Sequence, residues 1–149
     1  MFLNALRFTS IMATAVVMAA GFAHLLELPN KIGLPRDEYL IVQQLYRGWA
    51  LLGVVMIVSL GATLTLGILE RDQPRIAAFT LGAAACIAVS LVVFFTFTFP
   101  ANKATMNWTV LPDNWTQLRS RWEYSHAVGA ALQFVALSLL TLALLVRRT

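Results

Sequence analysis

The sequence predicts an all-α integral membrane protein, a four-transmembrane-helix up-down bundle, and three observations predict it. Of 149 residues, 59% are hydrophobic and 12% charged, against roughly 25% charged in an ordinary soluble domain. Charged residues are missing from Phe8 to Leu26, Gly48 to Leu69, Ile76 to Ala101 and Tyr124 to Val146. Each run meets or nearly meets the about 20 residues needed to cross about 30 Å of hydrocarbon. Finally, Ile76 to Phe99 lacks the polar stripe that a water-facing helix carries, which argues against a soluble bundle.

The spans are predicted over about residues 4–28, 40–69, 75–100 and 119–146, in one domain covering 1–149. Pro29-Asn30-Lys31 is expected to stop the first span, with Gly33-Leu34-Pro35 continuing the turn. Its single Arg7 and Ala-rich tract resemble a secretory signal, but cleavage would remove His24 or strand it at a terminus, so the first helix reads as retained. Asp37 suits the positive end of the second helix, and Pro74 suits an early position of the third. Cys86 has no partner for an internal disulfide, and Gly82-x-x-x-Cys86 reads as small-residue helix packing. The connection over about 101–117 is long enough to suggest a functional loop.

The formal charge of +4 does not point to nucleic acid, because the basic residues sit singly at helix ends, as membrane flanks do. The face with both termini, side A, carries Arg7, Glu70, Arg71, Asp72, Arg75, Arg147 and Arg148. Side B receives Trp49, Trp108, Trp115, Trp122, Tyr39, Tyr46, Tyr124, His24 and His126. Aromatic belts normally mark both interfaces; a one-sided collection suggests a built site. Lys and Arg are nearly balanced between the faces, and discounting Arg47 and Arg119 as bundle-facing puts both termini in the cytoplasm.

His24-x-x-Glu27 closes the first apolar run and Glu123-x-x-His126 opens the last. Three-residue spacing puts each pair on one helix face, and antiparallel helices bring both to one depth. Ionisable side chains are expensive in a bilayer and mark functional sites there. On the fourth helix, Arg119, Trp122, Glu123, His126, Gly129, Ala130 and Gln133 share a face; on the first, Thr14, Val17, Ala20, Gly21, His24 and Glu27 do. Gln43 or Gln44, Arg47, Thr96 and Thr98 are expected near the same depth. Together they predict a polar pocket capped by a Trp-rich loop.

Four chemistries fit these residue types. His24, Glu27, Glu123 and His126 could ligate a mononuclear transition metal, iron or copper in particular. A full di-iron set is absent, since the second and third spans offer no core carboxylate. His24 and His126 could instead be axial ligands of a haem. Without a cofactor, a histidine oriented by Glu or Arg could take a proton from a lipophilic substrate. In the fourth, structural reading, Glu27 and Glu123 pair with Arg47, Arg119 or Arg121 and the histidines only hydrogen-bond.

The segments Ala23-His24-Leu25-Leu26-Glu27-Leu28-Pro29-Asn30-Lys31 and Asn102-(x5)-Trp108-(x6)-Trp115-(x3)-Arg119-(x2)-Trp122-(x3)-His126 resemble the anthrone-oxygenase-like membrane family. The similarity runs over nearly the whole chain, and the first segment resembles a bacterial branch described as a domain of unknown function. It implies a bacterial inner-membrane location and an oxygen-dependent oxidoreductase, fungal relatives converting anthrones to anthraquinones without added cofactor. It singles out Asn102, Trp108, Trp115, Arg119, Trp122 and His126. The combined expectation is catalysis by His126, His24, Glu123 and Arg119 on a small hydrophobic or aromatic substrate, with Arg47, Asn102, Trp108, Trp115 and Trp122 lining the pocket. The expected partners are the bilayer, the lipophilic molecule and a second copy or another membrane protein. The other functions open to such a chain are a haem or metal carrier without turnover and a structural subunit of a membrane complex.

Overall fold

The computed structural model describes residues 1–146. Arg147 and Arg148, counted above on side A, lie outside the described residues. Four helical stretches are long and apolar enough to cross a membrane: Phe2–Lys31, Trp49–Leu69, Pro74–Ala104 and Trp115–Val146. The chain is an all-α, four-helix membrane bundle. Within these stretches the α-helices are α1 (Phe2–Lys31), α3 (Leu52–Leu69), α4 (Pro74–Val93), α5 (Phe99–Ala104) and α6 (Trp115–Val146), with α2 (Arg36–Gln43) lying between the first two spans.

Four boundaries depart from the sequence expectation: the last span begins at Trp115, not about residue 119, which shortens the connection to 105–114, and the other three shape side B. Pro29 does not end the first helix: α1 continues through it to Lys31, and the Ile32 N–H bonds the Leu28 carbonyl at 3.0 Å. Proline in a helix removes one backbone bond, yet the extra turn sets Lys31 one turn beyond Glu27 on the same face. The second helix is not continuous from residue 40. After α2 come the short 3-10 turns Gln44–Tyr46 and Trp49–Leu51, separated at Gly48, whose φ of 91° is left-handed. That region suits glycine, which has no Cβ to clash. The third helix runs on to Ala104 through a π turn at Phe94–Thr98, ending two residues before Pro100. The wider turn accommodates a residue that cannot donate the usual bond, so the true connection begins only after Ala104.

The bundle closes tightly toward side A and at mid-depth. Ala83, Ile87, Ala136 and Leu140 form the buried centre, packed by Ile11, Met56, Leu60, Cys86 and Leu139. Cys86 is a free thiol in this packing. Gly21 lets α1 approach α6, since a Cβ there would meet Ala130 Cα at 3.2 Å. Between α1 and α3, the fully buried Thr14 and Ser59 hydroxyls bond each other at 2.7 Å. At side A, Arg7 grips Glu70 Oε1 through Nε at 3.1 Å and Nη2 at 2.9 Å, joining the first span to the end of the second. A separate buried cluster caps side B: Tyr39, Ala101, Trp108, Leu111, Leu118 and Trp122.

Candidate functional site

On the side-B half the spans border a cavity of about 1170 Å³. Its inner wall comes from α1 (Val17 to His24) and α6 (Trp122 to Gln133), and its flanks from Trp49–Ile57 and Ser90–Lys103. Residues of the connection after Ala104, Met106 to Thr109, border its side-B end. Val54, Ile57, Phe95 and Phe99 line the cavity and are also exposed on the apolar outer surface. The cavity therefore borders the apolar outer surface of the second and third spans.

The antiparallel placement of α1 and α6 brings the two histidines together as the sequence spacing requires. Their ring centres are 4.2 Å apart, tilted by 31°. Trp122 sits edge-on to both, 4.2 Å from His126 and 4.9 Å from His24, with Tyr46 4.4 Å from His24. His24 is buried, and its Nδ1 has no hydrogen-bond partner. His126 is half-buried at the cavity wall.

The carboxylates do not join this pair. Glu123, 1% exposed, accepts the Tyr39 hydroxyl at 2.9 Å and faces Lys31 Nζ at 3.3 Å. Glu27 accepts the Tyr46 hydroxyl and lies 3.4 Å from Lys31. Lys31, 3% exposed, also donates to the Tyr46 hydroxyl at 2.6 Å and stands 5.0 Å from the Trp122 ring centre. Lysine is the counter-charge, not Arg47 or Arg119. A buried charge needs a partner, and here one ammonium serves two carboxylates on two helices. The sequence signal for it is the four-residue Glu27–Lys31 spacing, which matters only because the helix continues past Pro29. Burial raises the phenols of Tyr39 and Tyr46 above their ordinary range, and the neighbouring Glu123 and Glu27 raise them further.

Arg119 instead donates to the Leu34 carbonyl at 2.8 Å, with its guanidinium 4.6 Å from the Trp115 ring centre and 5.3 Å from that of Tyr39. It pins the turn after α1 and stacks between rings, outside the cavity lining. Arg47 is exposed, lines the cavity and bonds Gln44 Oε1 at 2.9 Å. Gln44 in turn donates to the Trp108 carbonyl at 2.9 Å. Thr98 is buried against Ser125, 2.6 Å between hydroxyls, whereas Thr96 is exposed and bonds its own helix.

Asn102 organises the tryptophans. Its Oδ1 accepts the indole N–H of Trp108 at 3.0 Å and of Trp122 at 2.8 Å. Trp108 is 3% exposed and folds inward over the site, as a capping loop requires. Trp115 packs 6.0 Å from Tyr39, behind the cap and away from the cavity. Reaching this arrangement puts Met106, Asn107 and Trp108 all in the left-handed region, with φ of 49°, 57° and 61°. Such residues cost about 1–2 kcal/mol each. The turn is held by Thr105, fully buried, whose hydroxyl accepts the Trp108 N–H at 3.1 Å and whose carbonyl accepts those of Thr109 and Val110.

Neither cofactor expectation fits this geometry. Among the described residues, no three His, Cys, Asp or Glu side chains stand together as a metal-binding group. The expected set of His24, Glu27, Glu123 and His126 is divided, because Lys31 and the two tyrosines engage the carboxylates. Imidazoles on opposite sides of one iron keep their centres roughly 6 Å apart, given metal–nitrogen bonds of about 2 Å. Rings stacked at 4.2 Å leave no room for a macrocycle between them.

No protein-family model, curated protein or solved structure matches this chain.

Proposed function

We propose that this protein is a membrane-embedded, oxygen-dependent oxidoreductase that takes a small lipophilic aromatic substrate from the bilayer and works on it by acid–base chemistry at the histidine pair. The observation that carries the reading is the cavity bordering the apolar outer surface, with both imidazoles on its inner wall and aromatic rings around them. Apolar pockets with a few convergent polar groups are typical ligand sites. The resemblance of the Asn102 to His126 run to anthrone-oxygenase-like proteins supports the same chemistry.

In this reading His126, the more accessible ring, removes a proton from an activated ring methylene, and His24 stacks behind it. The resulting electron-rich carbanion is the species that dioxygen oxidises. In net terms the methylene loses two hydrogens and gains one oxygen atom as a carbonyl. The other oxygen atom leaves as water with those two hydrogens, so the substrate is the only reductant needed. Trp122 and Trp108 hold the ring system in place, with Asn102 fixing both indoles. Glu123, Lys31 and Glu27 position the ends of α1 and α6 and do not touch the substrate.

The test is oxygen consumption and carbonyl formation by the purified protein in lipid nanodiscs, with anthrone as the probe. His126→Ala should lower the catalysed rate by about 10²- to 10⁴-fold, the usual contribution of a general base, with thermal stability close to that of the parent. Turnover unchanged in both His126→Ala and His24→Ala would overturn the reading. So would a parent protein no faster than the uncatalysed oxidation.

A further inference from the structure

Gln133 lies at the inner end of the cavity, where the spans close on the Ala83, Ile87, Ala136 and Leu140 packing. It is 2% exposed, and neither its amide oxygen nor its amide nitrogen has a hydrogen-bond partner. A polar side chain deep in a membrane span is costly unless it is paired. The buried hydroxyls of Thr14, Thr80 and Thr98 find partners within the protein, while those of Ser10 and Thr63 are single unpaired atoms that do not line the cavity. Gln133 stands out because both ends of its amide are buried and unpaired at the edge of a cavity.

Its position defines what could complete it. Gln133 follows His126 by seven residues on one face of α6, which is two turns, or about 10 Å at the helical rise. The wall between them includes Gly129, Ala130 and, from α1, Gly21. Gly21 and Ala130 pack against each other, so the wall between His126 and Gln133 is low, a shape that suits a flat ring system lying along the helix. No charged side chain lines this inner part, so a charged group would find no counter-ion there. A primary amide both donates and accepts, which suits a ring hydroxyl or a ring carbonyl.

We propose that Gln133 is a specificity-determining contact, reading a neutral hydroxyl or carbonyl at the far end of an elongated aromatic ligand whose other end meets the histidine pair. This rests on the reading of the cavity as a substrate site. It adds the substrate class: a lipophilic ring system with two polar functions about 10 Å apart along its long axis.

The experiment compares binding of para,para′-dihydroxybiphenyl, whose oxygens span that distance, with para-hydroxybiphenyl, which lacks the far hydroxyl. Quenching of tryptophan fluorescence reports binding, because Trp49 and Trp122 line the cavity. The parent protein in nanodiscs should favour the dihydroxy compound roughly tenfold, the scale of one well-made hydrogen bond. Gln133→Met, similar in shape but without the amide, should abolish the preference and keep the affinity for the monohydroxy compound. Gln133→Asn, which withdraws the amide by one methylene, should narrow it and serves if the Met variant does not fold. A preference that persists in Gln133→Met, or stays undiminished in Gln133→Asn, overturns the inference. Equal binding of both compounds by the parent overturns it while leaving the cavity reading intact. Binding of neither removes the cavity reading and this inference together.

Discussion

Replacing Lys31 with Met tests the electrostatic arrangement that holds side B together. The substitution keeps most of the apolar stem and removes the ammonium between Glu27 and Glu123. At 3.3 Å from Glu123 Oε1, the attraction is about 5 kcal/mol at an effective dielectric of 20, before desolvation. The Glu27 side chain is 42% exposed, so its share is largely screened. The Glu123 side chain has no exposure at all, and in the variant it keeps only the Tyr39 hydroxyl. Breaking a buried pair from one side typically costs about 3–5 kcal/mol, since the remaining charge is uncompensated. The expected loss for Lys31→Met is in that range. Adding Glu123→Gln should recover about 2 kcal/mol or more of it, because the stranded charge is removed as well. Helical circular dichroism during reversible unfolding in mixed micelles provides the measurement, on the parent, both single variants and the double variant. A Lys31→Met loss below about 1 kcal/mol, or single losses that simply add, would refute the argument that Glu123 and Lys31 form a buried, coupled pair.

Two further outcomes follow from the same contacts. Asn102→Leu leaves two indole N–H groups without an acceptor and should cost about 1–3 kcal/mol per stranded group at most. It should also release the strained turn at Met106 to Trp108, read as faster proteolysis after Ala104 and red-shifted tryptophan emission; unchanged cleavage and emission would count against Asn102 as the organiser of the cap. Tyr39 and Tyr46 resist ionisation in the folded protein, so the sign is that of a raised pKa: their contribution is intact below the unfolded value near pH 10. It falls as the pH rises above that, at up to about 1.4 kcal/mol per pH unit for each phenol. Ultraviolet titration, with Tyr39→Phe and Tyr46→Phe variants assigning the signal, should show Tyr39 and Tyr46 ionising only with alkaline unfolding, and titration of either in the folded state near pH 10 would contradict it.

The four spans, their order and the meeting of His24 with His126 were legible in the sequence. Hydropathy over about 20 residues decides a crossing by itself, and antiparallel spans fix which ends share a depth. Three-residue spacing then put His24 and His126 on facing sides of α1 and α6, where the stacked rings are found. The early placement of Pro74 and the acidic first turn of α2 followed from local rules too. Partner choice was not legible. Pro29 signals a helix end by its missing N–H, and only the burial of Lys31 between two carboxylates explains why α1 runs on through it. That extension sets Lys31 against Glu27 and Glu123, and so divides a ligand set that composition alone would have assembled. The break at Gly48, the π turn before Pro100 and the left-handed turn over Trp108 are backbone solutions to packing between distant segments. Gly48 and Pro100 permit the first two locally without requiring them, and the energy that offsets the cost of all three comes from contacts made only when the spans have come together.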